Sequence, residues 1–353
     1  ESFREEIRKR ENEIDQEIAK KEEELRNAEN SDNNAAIKEA VQKTNAAREK
    51  LKQAQAAYDA NKQIRLAGSD RYETAYAVAE QMKLNKGKEK FDNIVVASGE
   101  NYPDALSGNY LAFRKKAPML LTNQYEVDNT AEYIKNSIEP NGTVYILGQT
   151  SAVPASLEQK LQGINIKRIG GSDRFETNLL ILKEARVYGE ELIVCSGLNF
   201  PDAVSASAAN RPILLADDKL SASQKNYLST IDPLKVYFIG GDKAVPKAVR
   251  DEFTGDTVRL AGTDRFETSR LIAENLFLNH PDRVVLASGL NFPDALVGGA
   301  FNQDIGVPVL LVGPDFADAY NAKKFVSENG TKSLILLGGK LSISDEIANY
   351  IRG

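Results

Sequence analysis

The residues of this sequence that could carry chemistry occur in triplicate. A ten-residue string reads RLAGSDRYET in its first copy, RIGGSDRFET in its second and RLAGTDRFET in its third. The copies span Arg65–Thr74, Arg168–Thr177 and Arg259–Thr268. Each string contains a second arginine, and guanidinium groups bind carboxylates and phosphates through paired hydrogen bonds. These arginines, Arg71, Arg174 and Arg265, are the candidate anion-binding residues of the strings.

Three other residues of each string predict a tight turn followed by a helix. In the first copy, Gly68 permits the turn, Asp70 fits the helix N-cap, and Glu73 completes a variant of the capping box. Arg71 then falls in the first helical turn, where a cation opposes the helix dipole at a cost of ~0.3–1 kcal/mol. A salt bridge to a neighbouring module or an anionic ligand would hold the arginine there, and both alternatives remain open.

A second string, with the pattern SGxN(Y/F)PDA, follows each copy of the first. It occupies Ser98–Ala105, Ser196–Ala203 and Ser288–Ala295. Its proline suits the first position of a helix, and the following aspartate suits the first turn. The aromatic residue before the proline is expected to pack in the protein rather than stack on a ligand. The asparagines can bond their own backbone in a turn, and we also list them as candidate ligand-binding residues: Asn101, Asn199 and Asn291.

The elements that position these strings follow from the hydrophobic pattern after Ile64. In the third copy, four apolar runs alternate with four segments of helical spacing, which predicts an α/β fold with a largely parallel sheet. Both strings then lie at the carboxyl ends of strands, where open α/β sheets bind ligands. Helix N-termini at that edge favour anions. This location favours a binding site but does not specify its chemistry.

The spacing of the strings predicts three modules, at 63–165, 166–256 and 257–353. A unit of this length could fold by itself. The joins between the units are only a few residues long and contain no linker rich in Gly, Ser or Pro. We therefore expect the modules to touch in a compact pseudo-threefold arrangement.

The first 62 residues have a different texture, because they contain neither glycine nor proline and are rich in charge. Apolar residues at helical spacing predict two helices, near Phe3–Glu29 and Asn33–Lys62, folded as a hairpin. The charges are interpreted as a solvated face. We interpret this segment, 1–62, as the end of a separate functional region.

Several classes of function are disfavoured by composition. The net charge of −6 argues against a general polyanion-binding surface, and we expect no nucleic-acid partner. One cysteine and one histidine exclude an internal disulfide and the usual zinc sites. Cys195 replaces Ala97 and Ala287 of the other copies, so we interpret it as core filler and not as a nucleophile. No complete nucleotide-binding loop and no membrane-length apolar run is present, so we expect no cofactor and no membrane insertion.

The strings, together with the Pro-x-Leu-Leu that begins each third strand, resemble the cell wall binding repeat 2 family of clostridial surface-layer and cell wall proteins. The resemblance covers about Ile64 to Gly353 and implies three Toprim-like (flavodoxin-like) modules packed as an in-chain trimer. It implies non-covalent attachment to the wall through an anionic polysaccharide, and hence an exported protein of the cell wall or surface layer. It also implies that exposed arginines and the third strands line the site: Met119, Leu120, Leu121, Ile213, Leu214, Leu215, Val309, Leu310 and Leu311.

We therefore expect a wall-anchoring protein without catalytic activity. Two alternative functions rival this interpretation. One rival is a structural component of a surface lattice, whose arginines bind only neighbouring modules or neighbouring surface-layer proteins. The other is an enzyme of the Toprim or flavodoxin type, since fold does not decide function. Metal-dependent Toprim chemistry needs an Asp-x-Asp after a strand, and none follows the strands predicted here.

Overall fold

A computed structural model of the chain describes Gln16, 18–24, 41–43, 45–46, 63–198, 200–207, Ala209, 211–277 and 280–353. The chain divides into two compact units, Glu1–Gln63 and Ile64–Gly353. The described residues before position 47 are helical, and the rest of the predicted hairpin, Phe3–Glu29 and Asn33–Lys62, lies outside the described residues. Among the residues described, no helix is long and apolar enough to cross a membrane.

The second unit alternates strands and helices from its beginning to its end, as predicted. The first repeat contains β1 Gln63–Leu66, α1 Arg71–Lys86, β2 Phe91–Ser98, α2 Tyr102–Lys115, β3 Met119–Thr122, α3 Val127–Ser137, β4 Ile138–Leu147 and α4 Ser156–Lys160. The second contains β5 Asn165–Ile169, α5 Arg174–Glu184, β6 Glu191–Ser196, α6 Phe200–Ser207, β7 Ile213–Ala216, α7 Ala222–Ile231, β8 Lys235–Ile239 and α8 Lys247–Arg250. The third contains β9 Thr257–Leu260, α9 Arg265–Leu276, β10 Arg283–Ser288, α10 Phe292–Ile305, β11 Val309–Val312, α11 Phe316–Asn329, β12 Ser333–Leu337 and α12 Asp345–Arg352.

The strands form three four-stranded sheets that are offset from the repeats by one strand. Their orders are β3-β2-β4-β5, β7-β6-β8-β9 and β11-β10-β12-β1, with parallel pairing. The first strand of each repeat thus lies in the sheet of the preceding repeat, and β1 completes the last sheet. A single repeat therefore supplies only three of the four strands of its sheet, and folding of a unit by itself stays a prediction.

Matching hydrogen bonds fasten each borrowed strand. The N–H of Gly148 donates to the carbonyl of Ile169 at 2.8 Å, and the N–H of Gly240 donates to that of Leu260 at 2.9 Å. The N–H of Gly338 donates in the same way to Leu66 at 2.9 Å. The third junction is therefore built like the other two, although the chain does not pass through it.

The three second helices, α2, α6 and α10, pack against one another at the centre of the unit. Each also packs against the first helix of the next repeat, as α2 with α5, α6 with α9 and α10 with α1. This cyclic packing confirms the predicted pseudo-threefold arrangement. Where the central helices meet, equivalent positions hold Asn109, Ser207 and Gly299, and a Cβ on Gly299 would lie 2.6 Å from Nδ2 of Asn109.

Candidate functional site

The first repeated string forms the crossing between two modules. Its strand belongs to the sheet of the preceding repeat, whereas its helix packs on the sheet of its own repeat, as α1 does on β3. All three strings therefore lie at module junctions. The second string ends β2, β6 or β10 and opens a central helix at the same carboxyl edge. The structure thus brings both strings together, as the sequence predicted.

The opening arginine of each string fastens the borrowed strand. Arg65 Nη1 donates to the carbonyl oxygen of Gly338 at 2.9 Å, and Arg65 Nη2 pairs with Asp345 at 3.1 Å. The opening arginines of the two other copies make the same kinds of contact, with a glycine carbonyl and with an acidic side chain. Arg168 contacts Gly148 and Glu158, and Arg259 contacts Gly240 and Asp242. Sequence reasoning had not assigned these arginines, although their identity in all three copies was the available signal.

The turn after the strand is closed by its own side chains. The carboxylate of Asp70 accepts from the N–H groups of Tyr72 and Glu73 at 2.8 and 2.9 Å, which confirms the predicted N-cap. Glu73 accepts from the N–H of Ser69 at 2.8 Å, and this backbone hydrogen bond lowers the pKa of Glu73. The hydroxyl of Thr74 accepts from the N–H of Gly68 at 3.1 Å. The hydrogen bonds of this turn therefore account for most of the residues that the three copies of the string share.

The second arginine of each string is held by a backbone carbonyl of the second string. Nη1 donates at 2.6–2.7 Å in each repeat: Arg71 to Gly99, Arg174 to Gly197 and Arg265 to Gly289. This charge-assisted hydrogen bond offsets the unfavourable position of the cation in the first turn. Arg174 is exposed to solvent, whereas Arg71 and Arg265 are half-buried.

Each of these arginines also interacts electrostatically with an aspartate of the preceding module. Burial raises the pKa of Asp104, while the charge of Arg174 lowers it. The corresponding partners are Arg265 for Asp202 and Arg71 for Asp294, and burial likewise raises the pKa of both carboxyls. The charge of each arginine thus acts on an aspartate of the neighbouring module, while its described hydrogen bond goes to a carbonyl of its own module. The salt bridge and the anionic ligand both stay predictions.

The buried aspartates lie against the glycine that ends the fourth strand. A Cβ on Gly148 would lie 2.4 Å from Oδ2 of Asp104, and a Cβ on Gly338 would lie 2.3 Å from Oδ2 of Asp294. Both glycines also have φ near +90°, at 89° and 93°. No other residue type fits this turn while the aspartate keeps its place.

Two of the three repeated asparagines, Asn101 and Asn291, have no such internal role among the described residues. Asn101 caps α2 by position, but its side chain makes no capping hydrogen bond, so the predicted backbone bond is wrong there. Asn101 and Asn291 are exposed, and neither bonds to another residue that the structure describes. Asn199 lies outside the described residues. In the first and third copies, the contacts of the described residues therefore do not explain why this position is asparagine.

The predicted third-strand contacts to a ligand need correction. These side chains are at most 3% exposed: Met119, Leu120, Leu121, Ile213, Leu214, Leu215, Val309, Leu310 and Leu311. Helices of the same repeat, such as α1 and α3 on β3, cover the strands. The side chains belong to the hydrophobic core and are out of reach of a polymer bound to the folded protein.

Two further sequence predictions, for the aromatic residue before the proline and for Cys195, can be compared with the structure, as can the position of the single histidine. Tyr102 is half-buried and donates from its hydroxyl to the carbonyl of Gly197 at 3.0 Å, so it packs at the junction as expected. Cys195 is fully buried, and burial raises the pKa of its thiol. His280 is exposed, and the described part of the chain contains no cluster of His, Cys, Asp or Glu suited to a metal.

A family model described as Cell wall binding domain 2 (CWB2) matches residues 65–158, 168–250 and 259–348. The chain is 25% identical over 296 residues to the N-acetylmuramoyl-L-alanine amidase LytC of Bacillus subtilis (strain 168), covering 82% of this chain and 58% of the relative. It is 28% identical over 295 residues to the Amidase enhancer of the same organism, covering 81% and 40%. The chain thus spans about half the length of these relatives.

Two solved structures of Clostridium difficile proteins share the fold. Cwp6 superposes with a TM-score of 0.72 at 23% identity, over 83% of this chain and 48% of its own. Cwp8 superposes with a TM-score of 0.71 at 22% identity, over 86% of this chain and 54% of its own. At these identities the likeness concerns the fold.

Proposed function

Because the chain belongs to the Cell wall binding domain 2 family, whose location is the cell wall, we propose that it anchors a secreted surface protein there by binding an anionic wall polysaccharide without covalent linkage. Three matched repeats in one pseudo-threefold unit support this proposal, because several weak contacts to one polymer add to an avid attachment.

We propose that the polymer binds at the module junctions, and one observation in particular supports this location. Nearly every side chain of the two strings is bonded within the protein, whereas the repeated asparagine, as in Asn101 and Asn291, is exposed and unused by the fold. At the first junction, Asn101 precedes Tyr102, whose hydroxyl shares the carbonyl of Gly197 with Arg174. An exposed amide and an exposed guanidinium are therefore available at this junction, and both can bond the oxygens of a charged sugar.

Charge attraction by itself is a weak source of affinity for this protein. The net charge is −6, and the helix N-termini at the junctions carry their own carboxylates, such as Asp70 and Glu73. Direct contacts at Arg174, Arg71 and Arg265 would thus supply the specificity, with a modest dependence on salt.

One alternative is supported by a specific observation. Each of these arginines bonds a carbonyl of its own module, and its charge acts to lower the pKa of an aspartate in the preceding module. The arginines could therefore serve the packing of modules, as a purely structural lattice component would require. No observation made on the described residues favours the enzymatic alternative. The amidase relative is longer than this chain, which covers 58% of it, and we propose a non-catalytic binding role.

The test is co-sedimentation with Gram-positive cell wall sacculi, either intact or stripped of phosphodiester-linked polymers by hydrofluoric acid. We expect the chain to sediment with intact sacculi and to remain in solution with stripped ones. Arg174→Gln and Asn101→Ala should weaken sedimentation, while Lys88→Gln, a change in an exposed ion pair with Asp92, should not. Equal binding to both kinds of sacculi would contradict the proposal, and equal binding by all folded variants would favour the lattice alternative.

A further inference from the structure

The third module exposes aromatic rings beside one of the junctions. Phe316 and Tyr320 of α11 are 47% and 56% exposed. They are four residues apart in one helix, so they lie on the same face. The first and second repeats carry no aromatic residue at the equivalent place in their third helices, α3 and α7, which begin VDNTA and ASQKN.

The rings form part of an ordered stack. Phe316 stacks on Tyr350 of α12 with ring centroids 4.6 Å apart and planes inclined by 28°. Nζ of Lys323 lies 4.0 Å from the centroid of the Tyr350 ring. A ring that is stacked on one side and still 47% exposed has its other side open to solvent. We call Phe316, Tyr320, Lys323 and Tyr350 the aromatic platform.

A second aromatic stack in the protein shows how a purely structural one is built. In the first module, the Tyr76 and Tyr133 rings stack at 4.5 Å, and both hydroxyls are bonded, to Thr130 and to Glu80. Within the described part of the chain, the hydroxyls of Tyr320 and Tyr350 have no hydrogen-bond partner. The aromatic platform therefore keeps polar groups available around its rings.

The platform lies in the third module, next to the second junction, where Arg265 is located. Its helix begins shortly after Val312, whose carbonyl accepts from the N–H of Gly289 at 2.8 Å. The carbonyl of the same Gly289 accepts from Arg265 at 2.6 Å. A polymer lying at Arg265 can thus extend over α11 without crossing a module.

We propose that the aromatic platform binds the ring face of a sugar residue in the anionic wall polysaccharide, an inference that rests on the proposed function. The C–H groups of a pyranose face are weakly positive and complement the negative face of an aromatic ring. Lys323, for which the described residues provide no ion pair, adds a cation for a nearby phosphate or carboxylate. Such stacking supplies affinity that the overall negative charge of the chain does not oppose.

A sugar fits the platform better than a protein does. Two half-exposed rings offer on the order of 200 Å² of contact, whereas a stable protein interface needs about 800 Å² on each side. The surrounding residues are polar or charged, including Asp315 and Asp318. This small apolar area with a polar border matches one or two sugar residues.

Sacculus co-sedimentation at several salt concentrations tests the inference. We expect Tyr320→Ala and Phe316→Ala each to weaken binding to intact sacculi about fivefold to tenfold, equally at low and high salt, because stacking is not screened. Lys323→Gln should weaken binding only at low salt. The matched controls are Tyr125→Ala and Tyr188→Ala, since these tyrosines are 78% and 69% exposed in other modules.

The outcomes separate the two proposals. If the parent chain binds intact but not stripped sacculi, the proposed function stands, whatever result the platform variants give. Platform variants that melt like the parent and bind like the tyrosine controls would then overturn the platform alone. Tyr320 makes no ring contact among the described residues, so its variant tests binding without disturbing the Phe316 stack.

Discussion

Gly338 donates its N–H to the carbonyl oxygen of Leu66 at 2.9 Å, which joins the last strand of the third repeat to the first strand of the first. The bond matches those at the two covalent junctions, so the chain closes a ring of three sheets without a peptide bond at the third junction. The four-residue strand β1 therefore closes the ring together with the packing of α10 against α1 and α2.

Replacing Arg65 should loosen this closure. Arg65→Gln removes the hydrogen bond to the Gly338 carbonyl and the pair with Asp345, so we expect the free energy of unfolding to fall by about 1–3 kcal/mol. Amide exchange at Gly338 should accelerate. Lys88→Gln, which breaks only an exposed ion pair, is the control. Unchanged exchange at Gly338 would show that β1 is held by other contacts.

The centre of the ring should tolerate only one large side chain. Gly299→Ala places a Cβ 2.6 Å from Asn109 and 2.8 Å from the carbonyl of Ser207, so we expect it to cost about 1–3 kcal/mol. Asn109→Ser should cost little, because both amide atoms of this buried side chain are unpaired among the described residues. The double variant should lose less stability than the two single losses added together. Gly339→Ala, which has open space, is the control, and strict additivity would refute this account.

The buried Asp294 should make stability depend on pH. Burial raises the pKa of this carboxyl, which is 7% exposed, above the ordinary value of about 3.9. The stabilising contribution of this carboxyl to the free energy of unfolding is complete below that ordinary pKa, and it is lost as the pH rises through the pKa of the folded state. Asp294→Asn should therefore gain melting temperature relative to the parent between pH 4 and pH 7. Asp128→Asn on the surface is the control, and parallel melting curves for Asp294→Asn and parent would contradict the assignment.

The three second arginines should differ in their effect on stability. The carbonyl of Gly197 accepts from Tyr102 as well as from Arg174, whereas among the described residues Arg265 is the one side-chain donor to the carbonyl of Gly289. We expect Arg265→Gln to lower the free energy of unfolding by about 1–3 kcal/mol and Arg174→Gln by less. Adding Tyr102→Phe to Arg174→Gln should remove that difference. Equal losses from the two single variants, measured by urea denaturation, would argue against the shared acceptor.

Cys195 should report the opening of the second module. Its thiol is fully buried, and burial raises its pKa, so the reactive thiolate is suppressed in the folded state. We expect negligible labelling by iodoacetamide in native buffer and labelling at the unfolding rate in urea. Cys195→Ala should be tolerated with a small loss of stability, since the other repeats carry alanine there. Rapid labelling of the native protein would place the thiol at the surface.

Features that depend on neighbours along the chain could be predicted from the sequence. The three repeats, the strand and helix alternation and the N-cap at Asp70 were predicted correctly, because periodicity and short-range hydrogen bonds determine them. The pseudo-threefold packing could be predicted because the joins between the repeats are only a few residues long. The burial of Leu120 and its equivalents was missed, because an apolar strand does not itself show whether helices cover both of its faces, and here α1 and α3 of the same repeat cover β3.

The amino-acid sequence by itself determined how many modules there are, where each string turns and which helix end it caps. Only the tertiary structure decided that β5 joins β4, that β1 closes onto β12, and that Arg71 bonds Gly99 while facing Asp294. The same ten residues would allow a strand to pair with its own sheet or with the preceding one. The choice depends on contacts between residues far apart in the chain, such as the bond between Gly338 and Leu66, which no local pattern encodes.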